Sequence, residues 1–536
     1  MEKLRTEMSD VDSHASADPL PAGNDRDIAN NASGSQLMRN FFANYLSFGA
    51  AILLSLLLTP IVLHHAGTVN YGLWITLSAA GSYVGLLDAG VSTAAVREIA
   101  AAIAKGDEEH LNELFDAVNV FFVGTGAVAC AVTIVGVPLI GKVFSLTPGT
   151  LEAARIALVL EGVWTAIGFL KIIPTVGLYG SGRSDIMAFI GVGFVTTTQA
   201  AQIVVTLLGG GLVGLFAAAA GSSIIALAVS WRIAERLGVR RRLRFHLVGS
   251  TMRALLIQGW DNTLISISGI ISYRLDAMLI AVILPITQVA PYDIALSTAN
   301  LSGNLATTGT SLLLPAYAHS HAVNDTTRQF TLFSRAVMAS MAIAMSVTAA
   351  LIAFGQPILA LWLGHVPAHT YEILVVMNLV FVVRMPGRQA TVYLTGTGKV
   401  RQIARLSLIF AVTNFAMSVA TTFWLGAVGP VVGSIPQVLI FEFVALPVLC
   451  LRELGVTITS YLKAAIAPLA APLGAAASTS LLLRFTVHTS EVRAPFEAVA
   501  VVVAAALALG AWFWITEMEF REVVSRHLHR SGTSTR

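Results

Sequence analysis

Leu178-Tyr179-Gly180-Ser181-Gly182-Arg183 closes an apolar run that begins near residue 153, and Leu394-Thr395-Gly396-Thr397-Gly398-Lys399 closes another 216 residues later. At an offset of 218, Asn44 and Leu46 match Asn262 and Leu264, while Ala104, Asp107, Leu114 and Phe115 match Ala322, Asp325, Leu332 and Phe333. Three matches in the same order at nearly one offset imply a duplicated unit. Counting apolar runs of about 20 residues, the length that crosses a bilayer core, yields fourteen spans, from 41–63 to 497–516. Six fall in each copy and two come after the second copy. Six spans return the chain to its starting side, so both copies insert the same way round, with a cleft between them. The expected fold is therefore all-α and polytopic, about 14 transmembrane helices in two pseudo-symmetric six-helix lobes plus two C-terminal helices. Lobes over 37–235 and 236–452 precede the added pair at 453–516. A disordered cytoplasmic tail, 1–36, and a second cytoplasmic tail, 517–536, flank them.

Composition agrees. Of 536 residues, 55% are hydrophobic and 12% charged, with mean hydropathy +0.75. Soluble domains carry about 25% charged residues, so a water-soluble enzyme is excluded. With the amino terminus inside, 26 of the 33 Lys and Arg residues lie on the inner side. The outer side has only Lys142, Arg155, Arg484 and Arg493, which places both termini in the cytoplasm. A net charge of +3, scattered over loops, points to no nucleic-acid partner. Cys130 and Cys450 stand alone inside apolar segments, without the spacing of a metal site or disulfide framework. No cofactor is expected. Lys399 does not belong to a phosphate-binding loop, because Tyr393 and Val400 occupy the positions that need Gly and Ser or Thr. The connecting loops are too short for a catalytic domain, so no catalytic residue is assigned.

Leu86-Leu87-Asp88-Ala89-Gly90 running to Arg97 and Glu98, Tyr71-Gly72-Leu73-Trp74, and Asp276-Ala277-Met278-Leu279-Ile280 leading to Tyr292 resemble the polysaccharide-transporter branch of the MOP (MATE-like) flippase superfamily. The resemblance runs over about residues 38–450. It implies a flippase for O-antigen (lipopolysaccharide) or exopolysaccharide repeat units in the bacterial inner membrane. Such a flippase moves a polyprenyl-diphosphate-linked oligosaccharide, of the undecaprenyl type, from the cytoplasmic to the outer leaflet by alternating access. Contact with membrane lipid and with polysaccharide polymerase machinery is implied as well. The alternative is a MATE-type ion-coupled drug or metabolite exporter, whose cationic cargo calls for an acidic cleft. The arginine-rich first helix of the lipid II flippase branch is missing, since 41–63 holds no arginine.

Ionisable groups at bilayer depth are costly and are site candidates by default. Lys171, Arg274, Arg384 and Arg388 are the expected cargo-binding cations. Arginine suits a diphosphate because its fork binds oxygens in pairs and stays charged when buried. Lys171 and Arg388 are 217 residues apart and so occupy near-equivalent places in the two copies. Asp276, Glu161, Asp293 and Glu442 are candidates for coupling to H+ or Na+, or for charge pairing between helices. Asp88 and Arg97 flank the expected cytoplasmic mouth. Pro60, Pro174, Pro285 and Pro315 mark expected kinks or helix ends.

Overall fold

The computed structural model describes the backbone of residues 34–239, 249–273, 275–307, 310, 313–486 and 493–516. The polar tails before residue 34 and after 516 lie outside the described residues, as does Arg274. All regular structure among the described residues is helical. The chain divides into two compact units at Leu53–Leu54. The first holds only the start of the helix from Gly34, and the second holds the rest of that helix and every later one.

The first copy comprises α1 (Gly34–Val84), α2 (Val91–Lys105), α3 (Glu108–Val143), α4 (Pro148–Gly180), α5 (Ser184–Leu207) and α6 (Gly211–Arg236). The second comprises α7 (Gly249–Tyr273), α8 (Leu275–Ile283), α9 (Val289–Thr307), α10 (Leu313–Ala322), α11 (Thr326–Leu363), α12 (Thr370–Gly396), α13 (Val400–Leu425), α14 (Gly429–Gln437) and α15 (Leu446–Leu454). A π-helical stretch, Val438–Ala445, joins α14 to α15. After α16 (Ile458–Tyr461) come α17 (Ala470–Thr486) and α18 (Ala494–Thr516). Among the described residues ten helical segments are long and apolar enough to cross a membrane; Leu53–Asp88 takes in parts of two expected spans, and Val400–Leu454 takes in two whole ones, 403–425 and 428–450. The chain is a multi-pass membrane protein.

The helix ends repeat with the sequence. Gly182 and Gly398 have φ of 76° and 77°. In each turn the N–H groups of Ser181, Gly182 and Arg183, or of Thr397, Gly398 and Lys399, close back on the last carbonyls of the helix. This is the glycine-terminated helix end, in which only Gly takes the left-handed conformation without strain. At the start of α3 and α11, the side chains of Asp107 and Asp325 accept from the N–H of His110 and Arg328, at 3.0 and 2.9 Å. The structure adds a third pair: Leu237-Gly238-Val239 and Leu454-Gly455-Val456, 217 apart, with φ of 67° and 66° at the glycines. The packing order repeats too. α3 packs on α4 as α11 packs on α12, and α5 packs on α6 as α13 packs on α14. α17 and α18 pack on α11 through small residues, Ala350, Ala476, Ala494 and Ala505.

Two details differ from expectation. The break in α1 falls at Gly67 (φ 82°, ψ 166°), whereas Pro60 lies within helix. Proline lacks the N–H that would bond the carbonyl four residues back, and here Trp362 Nε1 donates to that carbonyl, Leu56 O, at 2.6 Å. The stretch after Gly90, which lies outside the expected spans beyond residue 93, is the 15-residue helix α2. Its face of Val91, Ala94, Ala95, Ile99 and Ala102 is buried, an amphipathic pattern too short to register as a span.

Replacing Gly182 or Gly398 by Val puts a β-branched side chain at positive φ. Each substitution is expected to cost about 1–2 kcal/mol, and the losses should match in the two copies. Thermal unfolding of the purified protein in detergent measures both.

Candidate functional site

Asp276, at the start of α8, is 5% exposed and Arg384, midway along α12, is also 5% exposed. They line one small cavity of about 20 Å³ together with Tyr292, Phe381, Asn414 and Ser434. That is room for about one water. Tyr292 Oη donates to Asp276 Oδ2 at 2.9 Å, and the Ser418 hydroxyl is a second hydrogen-bond partner of Asp276. Asn414 Oδ1 is buried with no hydrogen-bond partner. Arg384 forms a fork on Glu442: Nε reaches Oε1 and Oε2 at 3.1 and 3.0 Å, and Nη2 reaches Oε1 at 2.9 Å. Its guanidinium also acts electrostatically on Asp276. One cation therefore faces two carboxyls.

Glu442 reaches Arg384 because it lies in the π-helical stretch and because Gly387, one turn along α12, has no side chain. A Cβ at Gly387 would fall 2.7 Å from Glu442 Cα. Sequence pattern singles out neither Gly387 nor the π-turn. Arg384 and Glu442 are 58 residues apart, and periodicity cannot pair them.

Arg388, one turn beyond Arg384, is partly buried and sits 5.9 Å from the Phe381 ring centroid. Arg384 lies 5.5 Å from the same ring. Lys171 on α4 is likewise partly buried, with Nζ 3.8 Å from the Phe194 centroid. Among the described residues neither Lys171 nor Arg388 forms an ion pair. The two copies thus carry, at matching places, a cation resting on an aromatic ring.

The remaining carboxyls separate. Asp293 Oδ2 accepts from Tyr71 Oη at 2.7 Å, joining the two copies. Glu161 is 3% exposed with only a long contact to Thr165, 3.3 Å. Asp88 receives the N–H and the hydroxyl of Ser92, at 3.1 and 2.7 Å, and so fixes the start of α2. Arg97 is exposed and donates to Gln258 Oε1 at 2.7 Å.

The copies meet at two levels. Near the start of the second segment of α1, Tyr71 holds Asp293 and Gly72 lies against the Ile286 carbonyl. About 27 Å further along the helix rise, Gly90 and Gly259 touch backbone to backbone. Ala89 and Gly90 both have positive φ, 48° and 67°, so the Leu86–Gly90 motif is a tight turn pressed against α7. A side chain at Gly259 would collide with Ala89 and Gly90.

Residues 83–367, over half of the chain, match a family described as polysaccharide biosynthesis protein. No curated protein sequence matches. A solved structure described as the lipid II flippase MurJ in an inward closed conformation is similar with a TM-score of 0.67 and 12% identity, covering 90% of this chain and 100% of that one. An inward-facing multidrug resistance MATE family transporter of the MOP superfamily gives 0.62 and 16%, over 77% of this chain and 99% of the other. At these identities the likeness is one of fold.

Cysteines in place of Arg97 and Gln258 should be bridged by a bifunctional maleimide whose spacer replaces the two long side chains, since their tips meet at 2.7 Å. Adding Gly259→Val should cut the cross-link yield at least several-fold by forcing α7 off the Gly90 turn. Gel-shift of reagent-treated samples reads the yield.

Proposed function

Because the chain belongs to the polysaccharide biosynthesis protein family through residues 83–367, we propose that it is a flippase for polyprenyl-diphosphate-linked oligosaccharide. The cargo passes from the cytoplasmic to the outer leaflet between two six-helix lobes that rock about a central site. The observation that carries this reading is the matched pair of cations, Lys171 and Arg388, which lack carboxylate partners among the described residues. An unpaired cation at bilayer depth costs a few kcal/mol, and a diphosphate between the lobes would repay that cost on both sides at once. The glycan and diphosphate would travel in the cleft while the prenyl chain stays in lipid. No covalent chemistry is required. The Gly90–Gly259 end is the cytoplasmic mouth in this reading, flanked by Asp88 and Arg97, and both termini are cytoplasmic in the bacterial inner membrane.

Asp276 is the favoured coupling site. Its carboxylate, the unpartnered Asn414 Oδ1 and the Ser434 hydroxyl lie around one small cavity. Oxygen ligands of this kind suit a small hard cation such as Na+ or H+. The same carboxyls support a second reading, a MATE-type ion-coupled exporter, since Asp276 and Glu442 outnumber Arg384 there and an acidic site favours cationic cargo. Deleting the gene separates the two. A flippase loss removes surface polysaccharide and accumulates the lipid-linked repeat inside, whereas an exporter loss leaves both unchanged.

In the complemented deletion strain, Lys171→Ala and Arg388→Ala should each lower surface polysaccharide at least several-fold with protein level unchanged, because no partner is orphaned. Lys171→Arg should retain most of the activity. Quantifying polysaccharide against immunoblotted protein checks this.

Arg384→Met alone orphans Glu442 and should cost about 3–5 kcal/mol, with most of the loss recovered in Arg384→Met/Glu442→Leu. If Arg384 also meets cargo, the double variant regains stability but exports at least about tenfold less. Thermal stability and export, measured on the same variants, separate the two roles.

A further inference from the structure

Glu161 continues a row of apolar side chains on α4, one turn beyond Leu158, in the layer formed with Leu73, Leu77, Leu212 and Phe216. It is 3% exposed. Oε1 accepts only the 3.3 Å contact from Thr165, and Oε2 is buried with no partner. The carboxyl rests over Gly81 of α1, where a side chain would overlap Oε1. Beside it, Thr133 of α3 fits over Gly162.

No charge faces it. Along α4 the nearest are Arg155 and Lys171, six and ten residues away, or about 9 and 15 Å of helix rise. On α3, Asp116 and Lys142 lie seventeen and nine residues from Thr133, about 25 and 14 Å of rise. On the α1 side the nearest is Asp88, seven residues past Gly81 and engaged with Ser92. Arg232, Glu235 and Arg236 are at the far end of α6, Arg97, Glu98 and Lys105 are on α2, and Asp185 begins α5. An ionised carboxylate here would stand desolvated and unpaired, at several kcal/mol.

The second copy solves the same position differently. At the offset of 217, Glu161 matches Asn378. At the offset of 221 that relates Tyr71 to Tyr292, Gly81 matches Ser302. Ser302 Oγ donates to Asn378 Oδ1 at 2.9 Å, and Asn378 Nδ2 donates to Leu374 O at 2.9 Å. A neutral, satisfied amide is therefore enough to pack this crossing. The first copy has an acid instead, with the hydroxyl partner replaced by glycine. What an acid can do and an amide cannot is exchange a proton.

We propose that Glu161 is a proton-binding site of the transport cycle, loaded while α1 and α4 are packed as here and emptied when they part. The cycle in this statement rests on the transporter reading, but the loaded state does not. Infrared difference spectra of the purified full chain in lipid bilayers, in H2O and D2O at neutral pH, test the loaded state. Subtracting Glu161→Gln from wild type should leave the carbonyl stretch of a protonated acid. Glu161→Gln should fold with thermal stability close to wild type, as Asn378 indicates. Gly81→Ala, by displacing the carboxyl, should shift that band. Carboxylate stretches in the subtraction with no protonated-acid carbonyl band overturn the assignment. In cells, surface polysaccharide should vary with medium pH in the wild type and lose that variation in Glu161→Gln; the same pH profile in both overturns the role in the cycle. If gene deletion leaves the polysaccharide untouched, the transport reading fails while the infrared result stands.

Discussion

A guanidinium inside an apolar helix bundle must meet carboxylate oxygens, and much of the surroundings of Arg384 stems from that requirement. The fork onto Glu442 uses both carboxylate oxygens, which is the geometry that makes a buried pair tolerable. To bring Glu442 that close, α12 has a glycine at 387 and the facing chain takes a π-turn over Val438–Ala445. A π-turn is an uncommon, locally imperfect helix that recurs at functional sites. Asp276 lines the same small cavity, sized for one water, and feels the charge of that guanidinium. Charge, glycine and irregular helix form one unit, and altering any of them disturbs the other two.

Much of this fold was legible in the sequence, for a physical reason. In lipid the backbone must satisfy itself, so spans are helices and apolar runs locate them. Helix ends need residues that tolerate left-handed backbone or cap free N–H groups, so Gly182, Gly398, Asp107 and Asp325 also betray the duplication. Leu237-Gly238-Val239 and Leu454-Gly455-Val456 carry the same signal, but three residues are too short to stand out from chance. Pairings were a different matter. Tyr71 with Asp293 and Arg384 with Glu442 join distant parts of the chain, and no local pattern encodes which buried charge meets which. Of the expected cargo-binding cations, Lys171 and Arg388 form no ion pair among the described residues, Arg384 forks onto Glu442, and Arg274 lies outside the described residues. Proline was a partial guide. Pro285 and Pro315 fall at helix ends, whereas Pro60 ends no helix, and Trp362 on α11 satisfies the carbonyl that Pro60 leaves open.

The two levels at which the copies meet are held by interactions of different kinds. At the Tyr71 level, a tyrosine hydroxyl holds a part-buried aspartate at 2.7 Å, and Trp362 holds Leu56 O at 2.6 Å. A hydrogen bond to a charged group contributes about 1.5–3 kcal/mol, and a buried partner left alone costs a similar amount. At the Gly90 level, glycine meets glycine, Leu255 of α7 is buried in the first-copy core with Val91, Ala95 and Ile99, Thr251 donates to Glu113 at 3.3 Å, and Arg97 donates one exposed hydrogen bond to Gln258. An exposed bond of that kind contributes about 1 kcal/mol or less, because water replaces it when it breaks. Parting α7 from α2 would also expose Leu255, at about 1.5–3 kcal/mol, so the two ends are held by comparable free energies, one through hydrogen bonds and the other chiefly through apolar burial.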